Sequence, residues 1–232
     1  IQIDLARRVG GSSTWQEVKV VDDHTITGKM VCTPEGGGWG NGAGKADYVV
    51  YFYAQFSKPL KNYGVWSVDI PEGQERKRQF VQSKAFQELV AQAQIHENVR
   101  EFAGEHIGFF TEFETEQDES VQMKAGISFV SEEGAKKNLE VEISHWDFDR
   151  TLNENQKRWD EALSKIHVET TDEEKKVIFY TALYRTMIDP RLYADVDGKY
   201  IGGDKQVHET AAFQKRTIFS GWDVFRSEMP LL

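Results

Sequence analysis

The segment from Asp47 to Phe56 limits the possible folds most narrowly, because nearly all of its side chains are apolar or aromatic. Successive side chains of a β-strand point to opposite faces of the sheet. One face would carry Tyr48, Val50, Phe52, Ala54 and Phe56, and the other would carry Val49, Tyr51 and Tyr53. A strand with two apolar faces needs cover on both sides. The segment therefore predicts an interior strand of a β-sandwich.

Other segments repeat the strand pattern. Apolar residues alternate with polar ones over Ile1 to Leu5, and strand patterns also occur around Val18 and over Thr25 to Val31, with Asp22-Asp23 as the turn between the last two. In a further strand we expect Val121, Met123, Ala125, Ile127 and Phe129 to face the core, and Gln122, Lys124 and Ser128 to face outward. Several short strands separated by turn signals indicate a β-sandwich.

The stretch from Glu75 to Phe102 has a different pattern. Phe86, Leu89 and Val90 lie roughly at helical spacing, and the stretch contains no glycine or proline. We predict a helical insertion near residues 75–103. His96 and His106 are poorly spaced for a shared metal ion, so no metal site is expected there.

Helical patterns follow the last long strand. Ser131 is a predicted N-cap for a helix over Ala135 to Ile143. A second helix is indicated by the spacing of Leu152, Gln156, Trp159, Leu163 and Ile166. Thr171 and Glu174 form a predicted capping box for a third helix, which ends at Asp189-Pro190. Its apolar residues, which include Val177, Ile178 and Leu183, cover so broad a face that we expect this helix to be buried.

Two glycine-containing motifs are candidates for ligand binding. The loop Gly36 to Gly42 lacks the features of a phosphate-binding loop, and Trp39 in it is a candidate ligand contact. Asp195 to Gly198 begins like a calcium-binding loop but lacks the downstream glutamate, so a hairpin turn between Tyr193–Val196 and Lys199–Ile201 is the better interpretation. His208 and Glu209 follow in a predicted polar loop without an assignable role.

Composition excludes some classes of partner. The formal net charge of −10 and the pI near 5.2 argue against nucleic acid and anionic membrane surfaces. No apolar run approaches the roughly 20 residues of a membrane-spanning helix. Cys32 is the sole cysteine, so the chain holds no internal disulfide.

The segment Phe219 to Arg226 combines the chemical groups that bind sugars. Trp222 offers a flat apolar ring for the C–H face of a pyranose. Asp223 and Arg226 can each hold two neighbouring hydroxyls through charge-assisted hydrogen bonds. The structural alternative is a buried tryptophan beside a structural Asp–Arg pair, and residue types alone do not decide between the two.

The C-terminal motifs, in their order and spacing, resemble those of glycoside hydrolase family 92, the α-mannosidases. The resemblance is carried by Phe179–Pro190, Asp195–Tyr200, Phe219–Arg226 and Pro230-Leu231, and it extends more weakly upstream through Gly126–Ser131, Ala135–Leu139 and the Trp159 helix. The stretch from Glu72 to His106 departs from it. The resemblance implies a mainly β fold with helices, in which part of a β-sandwich is followed by a helical linker and the first helix of an (α/α)6 barrel. The implied domains are the C-terminal part of the sandwich over 1–148, the linker over 149–170 and the start of the catalytic domain over 171–232.

The resemblance also implies a function. Members of the family are calcium-dependent, inverting exo-mannosidases that act on mannose-containing glycans, and the expected location is secreted, periplasmic or at the cell surface. The motif match assigns sugar contact to Trp222 and Asp223, with Arg226 orienting Asp223. Catalytic residues and main calcium ligands are expected outside this chain, which looks like an internal piece lacking most of its barrel. No catalytic or metal-binding residue is assigned within it.

Two other interpretations stay open from sequence. The chain is alternatively a non-catalytic carbohydrate-binding or interaction module that uses the sandwich and the Trp39 loop. A third interpretation is a structural scaffold whose exposed helix pairs with the barrel.

Overall fold

A computed structural model describes residues 1–6, 12–33, 48–71, 83–188 and 190–217. The strands are β1 (Gln2–Asp4), β2 (Ser12–Asp22), β3 (Thr25–Thr33), β4 (Tyr48–Phe56), β5 (Lys61–Ser67), β6 (Gln94–Glu97), β7 (Glu101–Gly104), β8 (Ile107–Glu112), β9 (Met123–Ser128), β10 (Lys199–Ile201) and β11 (Val207–Glu209). The helices in these ranges are α1 (Lys84–Val90), α2 (Glu132–Glu142), α3 (Phe148–Leu163) and α4 (Glu173–Thr186).

Two antiparallel sheets form a sandwich. One has the strand order β1-β8-β5-β6 and the other has the order β7-β2-β3-β4-β9. Their inner faces share one core, in which Phe56 of the second sheet and Phe109 of the first are each 1% exposed. The other core residues are Leu5, Val18, Val20, Ile26, Ala54, Leu60, Val65 and Ile107. The predicted β-sandwich is therefore confirmed.

Strand β4 has the two covered faces that its sequence requires. Ala54 and Phe56 lie in the sandwich core. The opposite face, with Tyr51 and Tyr53, is half-buried beneath α2, whose Lys136 Nζ lies 6.0 Å from the centre of the Tyr53 ring. Because β3 and β9 pair with β4 on its two sides, the strand is interior to the sheet.

Strand β9 forms where its alternation predicts, and Met123, Ala125 and Ile127 lie on the same face of the sheet as the core residues Ala54 and Phe56, but the expected burial of the two faces is wrong. Met123 and Ile127 are 45% and 56% exposed, whereas Gly126 and Ser128 are buried. The reason is that α2 packs on the face of β9 that carries the small residues. A methyl group at Gly126 would overlap the Ala135 carbonyl oxygen, so helix and strand come this close only at glycine.

The helical insertion near 75–103 is largely wrong within the described residues. Only α1 is helical, and Ser83 caps it by accepting a hydrogen bond from Phe86 N at 3.1 Å. Strands β6 and β7 follow, and each adds an edge to a different sheet by pairing with β5 and β2. Phe102 packs against the sandwich core, and this tertiary contact outweighs the helical spacing of the sequence.

The three later helices form as predicted, with one shift at a cap. Ser131 caps α2 by accepting from Gly134 N at 3.0 Å. Asp172, one residue after the predicted Thr171, caps α4 and accepts from Lys175 N at 3.1 Å. The carboxylate of Asp172 interacts favourably with the first turn of the helix.

Helix α4 is less buried than its apolar residues predict. Val177 and Ile178 are 65% and 61% exposed, and within the described part of the chain Leu183 alone among the α4 residues is fully buried. The helix packs on α3 through Trp159 and Tyr184, whose ring centres are 4.5 Å apart. The expected burial is therefore wrong for these residues. None of the described helices has the length and apolar character needed to cross a membrane.

Candidate functional site

A cavity of about 360 Å³ lies where the segment Leu192–Asp195 meets β9 and α2. The lining residues are Ala125, Gly126, Ile127, Ser128, Phe129, Asn138, Leu139, Glu142, Ile143, Leu192, Tyr193, Ala194 and Asp195. The cavity thus joins the edge of the sandwich, the first helix after it and the extended chain that follows α4. Its volume is in the range of small-molecule sites.

The place where Leu192–Asp195 meets β9 and α2 is called the junction below. The carboxylate of Asp195 is its central polar group. Asp195 is buried, with 6% of its surface exposed. Ser128 Oγ donates to Asp195 Oδ2 at 2.7 Å, and Asn138 Nδ2 donates to Oδ1 at 2.8 Å. A buried carboxylate without such donors would be strongly destabilising. The two bonds therefore hold the chain around Asp195 on β9 and α2.

The sequence of α2 creates the space for this carboxylate. Gly134 and Asn138 are one helical turn apart and face Asp195 together. A methyl group at Gly134 would overlap Asp195 Oδ2 and would lie 2.7 Å from Ser128 Oγ. Gly134 is in the first turn of the helix, where the helix dipole favours negative charge.

Asn138 connects three parts of the junction with one amide. Its Nδ2 donates to Ile127 O at 2.8 Å as well as to Asp195, and its Oδ1 accepts from Val196 N at 2.8 Å. Donors and acceptor of this side chain are both satisfied. Asn138 therefore fixes the position of the Asp195–Gly198 turn relative to the edge strand.

The predicted Asp195–Gly198 turn is present, and Asp195 N donates to Lys199 O at 2.8 Å across it, but Tyr193–Val196 does not form the predicted strand. Gly198 N donates to Asp195 O at 2.9 Å, and Gly198 has a φ of +83°, which favours glycine. Strand β10 then pairs with β11 rather than with Tyr193–Val196. Tyr193 N donates instead to Lys215 O at 2.9 Å. Residues 195–214 therefore form a long loop whose two ends are held together, and this loop is called the excursion below. His208 and Glu209, predicted in a loop, belong to β11.

Charged groups surround the turn. Lys137 Nζ and Lys199 Nζ lie 3.3 Å and 3.0 Å from Asp197 Oδ2. Burial favours a raised pKa for Asp197, but the hydrogen bonds from Lys199 and Lys137 outweigh it and hold the pKa below the ordinary value. Asp197 is therefore ionised at neutral pH and adds a second connection between α2 and the excursion.

Tyr193 forms the aromatic wall of the cavity. Its ring centre is 4.7 Å from that of Phe129, which in turn is 6.0 Å from Tyr48. Burial raises the pKa of the Tyr193 phenol, so the hydroxyl is protonated across the physiological range. The row of three rings continues the apolar packing from the sandwich into the segment after α4.

The residues that the sequence assigns to sugar binding cannot be compared with this cavity. Trp222, Asp223, Arg226 and Trp39 all fall outside the described residues, so their predicted contacts stay predictions. Within the described ranges no three His, Cys, Asp or Glu side chains converge on a common point.

The buried junction was not found by sequence reasoning. Asp195 was noticed only as part of a turn, and Ser128 was assigned to the solvent face of β9. Gly126 and Ser128 on one face of a strand were the available signal, since small residues permit a helix to pack closely.

Two family models together match almost all of the chain. The glycosyl hydrolase family 92 N-terminal domain matches residues 1–128, and the glycosyl hydrolase family 92 catalytic domain matches residues 134–232. The chain belongs to glycosyl hydrolase family 92. The resemblance inferred from the C-terminal motifs is thereby confirmed, and so is the fold class of a β-sandwich followed by the start of a helical region.

Solved structures of the family agree with this fold. The family GH92 α-mannosidase of Bacteroides thetaiotaomicron in complex with mannoimidazole is 28% identical, with a TM-score of 0.76 over 99% of this chain and 26% of that one. A family GH92 inverting mannosidase from the same species is 20% identical, with a TM-score of 0.72 over 95% of this chain and 26% of that one, and this likeness shows the fold alone. An uncharacterized secreted glycosidase of Arthroderma benhamiae is 35% identical over 77 residues, which are 32% of this chain and 10% of that protein.

The family 92 chain thus spans about a quarter of the length of these solved structures. The match to the N-terminal domain ends at residue 128, before the loop that precedes α2, and the match to the catalytic domain begins at residue 134, in the first turn of α2. Ser128 lies at the end of the first match, and Asn138 and Asp195 lie in the second. The bond from Ser128 to Asp195 and the bond from Asn138 to Ile127 O therefore connect the parts of the chain that correspond to the two family domains.

Proposed function

We propose that the protein is a calcium-dependent, inverting exo-α-mannosidase that hydrolyses terminal α-mannosides of glycans. The observation that carries the proposal is the likeness, over 99% of this chain, to a family GH92 α-mannosidase that binds mannoimidazole. The catalytic acid and base belong to parts of the complete protein outside these 232 residues, which do not hydrolyse glycosides by themselves.

Sugar binding is the contribution proposed for this chain. Trp222 stacks on the apolar face of the terminal mannose, and Asp223 accepts hydrogen bonds from its hydroxyls. Arg226 holds Asp223 in place. An inverting glycosidase needs two carboxyl groups about 6.5–9.5 Å apart so that a water molecule fits between one of them and the sugar. A bound calcium ion supplies Lewis acidity and orients substrate hydroxyls.

The described junction supports the proposal by fixing the chain that leads into Trp222. Thr217 N donates to Arg191 O at 2.8 Å, and Arg191 N donates to Thr217 Oγ1 at 2.9 Å. These bonds close the excursion two residues before Phe219. Since Asp195 within the excursion is hydrogen-bonded to β9 and α2, the sandwich holds the described chain up to Thr217 in place.

The test uses the protein encoded by the complete gene. Mannose release is measured from α-mannobiosides of different linkage, with and without EDTA, and the anomer formed first is identified by NMR. We expect calcium-dependent release of β-mannose from the α-linked substrate. Asp223→Ala lowers the rate about 10- to 100-fold, since hydrogen bonds to charged groups contribute about 1.5–3 kcal/mol. Asp160→Ala, at an exposed position of α3, is the matched control.

Other outcomes contradict parts of the proposal. Initial release of α-mannose contradicts inversion, and full activity in EDTA after dialysis contradicts the role of calcium. An absence of mannose release under every condition contradicts the activity itself and favours a carbohydrate-binding module. Mannose-containing glycans are the proposed partners, and a secreted, periplasmic or cell-surface location is proposed from the secreted relative.

A further inference from the structure

The hairpin formed by β10 and β11, together with the segment that follows it, carries three aromatic rings and one carboxylate. The ring centres of Tyr200 and His208 are 5.7 Å apart with planes at 27°, and those of Tyr200 and Phe213 are 6.2 Å apart with planes at 57°. His208 Nε2 lies 2.9 Å and 3.0 Å from the two carboxylate oxygens of Asp204. Tyr200, Asp204, His208 and Phe213 are called the hairpin cluster below.

The hairpin cluster is open to solvent. Phe213 is 55% exposed, and Val207 on the same hairpin is 54% exposed. The side chains of His208 and Asp204 are 43% and 55% exposed. Single exposed apolar residues are common on protein surfaces, so the feature that distinguishes Phe213 is its ring contact with Tyr200 and, through Tyr200, with the Asp204–His208 pair. The hairpin cluster therefore exposes an apolar ring and a charged polar pair that are connected through Tyr200.

The polar pair has a defined orientation. Asp204 Oδ1 also accepts from Gln206 N at 3.1 Å, so the carboxylate is held from two directions. A methyl group at Gly202 would lie 2.6 Å from Asp204 Oδ1 and 2.6 Å from His208 Cδ2, so the turn fits these two side chains only with glycine there. The hydrogen bond from His208 lowers the pKa of Asp204, and the carboxylate is ionised at neutral pH.

The backbone holds the hairpin cluster at a fixed place. Gly202 N donates to Gln206 O at 2.8 Å, and Thr210 N donates to Gly198 O at 3.1 Å. The base of the excursion is closed by Tyr193 and Lys215, and Asp195 is bonded to β9 and α2. A rigid aromatic surface loses little conformational entropy when a ligand stacks on it.

We propose that the hairpin cluster binds a second sugar unit of the glycan substrate, beyond the terminal residue that is cleaved. The proposal rests on the proposed function. Phe213 stacks on the apolar face of a pyranose, as exposed aromatic rings do with amphipathic ligands. Asp204, which keeps lone pairs free beyond its bonds to His208 and Gln206, accepts hydrogen bonds from two sugar hydroxyls. The excursion runs directly into Phe219–Arg226, so one continuous segment supplies both sugar contacts.

The experiment compares substrates with and without the second sugar, again with the product of the complete gene. For Phe213→Ala and Asp204→Asn, we expect kcat/KM on a mannose tetrasaccharide to fall about fivefold to tenfold. On an aryl α-mannoside, which lacks the second sugar, kcat/KM stays unchanged. Phe213→Trp retains activity on both substrates, since it keeps a stacking surface. Phe148→Ala, which removes a phenylalanine of α3 that is 67% exposed, is the control and changes neither value.

A binding measurement separates this proposal from the proposed function. Calorimetric titration with the tetrasaccharide in EDTA, where hydrolysis is not expected, gives the affinity of wild type and Phe213→Ala directly. Binding that depends on Phe213, with no mannose release in any condition, supports the hairpin cluster and contradicts the mannosidase activity. Equal losses on both substrates, or tetrasaccharide binding and turnover that do not change in Phe213→Ala, overturn the hairpin cluster as a sugar site.

Discussion

Ser128 Oγ donates a 2.7 Å hydrogen bond to Asp195 Oδ2, which joins the edge strand of the sandwich to the segment after α4 across 67 residues of sequence. Both residues are buried. Only Asn138 otherwise supplies a side-chain donor to this carboxylate among the bonds found in the described residues. The stability of the junction therefore depends on few groups, and each can be tested.

Removing the Ser128 hydroxyl should destabilise the junction. We expect Ser128→Ala to lower the free energy of unfolding by about 1–3 kcal/mol, because a buried charged acceptor loses one of its donors. The measurement is chemical unfolding of the full-length protein, followed by tryptophan fluorescence. Ser164→Ala, which removes an exposed hydroxyl at the end of α3, should change the value by less than about 0.5 kcal/mol. Equal effects of the two substitutions would contradict the role of Ser128.

Gly134 and Gly203 form a matched pair for testing the space around Asp195. Alanine favours a helix over glycine by about 1 kcal/mol. Gly134→Ala should nevertheless be destabilising by about 1–3 kcal/mol, because the methyl group would overlap Asp195 Oδ2. Gly203 has no atom within 4 Å of the corresponding position, so Gly203→Ala should be nearly neutral. The measurement compares the thermal unfolding of the two variants with that of wild type. A Gly134→Ala variant that is more stable than wild type would show that the Asp195 carboxylate can move away from the methyl group.

The pH dependence of stability should include a contribution from Asp197. Its pKa is lowered in the folded protein, so its stabilising effect is present above the unfolded pKa of about 3.9 and is lost as the pH falls through the folded value. The side chain is 26% exposed, so we expect about 1 kcal/mol or less. Unfolding at pH values between about 6 and about 3 should show a smaller loss of stability for Asp197→Asn than for wild type.

The control for this comparison is Asp160→Asn, which removes an exposed carboxylate of α3 away from the junction. If Asp197→Asn follows the wild-type profile, the lysine contacts of Asp197 do not contribute measurably to the stability of the junction.

Shortening a side chain should affect stability differently on the two faces of α4. Leu183 is 7% exposed, and Leu183→Ala should cost about 2–4 kcal/mol in the 232-residue chain because it leaves a cavity. Ile178 is 61% exposed, and Ile178→Ala should change the free energy of unfolding by less than about 0.5 kcal/mol. In the product of the complete gene, a large effect of Ile178→Ala would show that further residues cover this face.

The sequence predicts the sandwich well because the decisive residues act locally. The two apolar faces of β4 and the turn at Asp22-Asp23 are properties of short segments, and both are confirmed. The capping of α2 by Ser131 is local in the same way.

The predictions that fail depend on contacts between residues that are far apart in the sequence. The burial of the two faces of β9 differs from the expectation because α2 covers the face with the small residues, and alternation alone does not show which face a helix will cover. Residues 94–104 become strands because β5 and β2 offer sheet edges there. The buried Asp195 was missed since its two donors lie 67 and 57 residues away in sequence.

The close packing of α2 on Gly126 has a consequence for how members of the family can exchange parts. The match to the catalytic domain begins at Gly134, inside this helix, yet Ala135 and Leu139 are 0% and 2% exposed against the sheet. A chimera that joins two family members between residues 128 and 134 would pair a foreign helix with the native strand, so the close contact of Gly126 with Ala135 O and Leu139 would have to form between residues of different parents. Junctions placed after Glu142 keep helix and sheet from the same parent, so we expect recombination to be tolerated there and to fail at the earlier boundary.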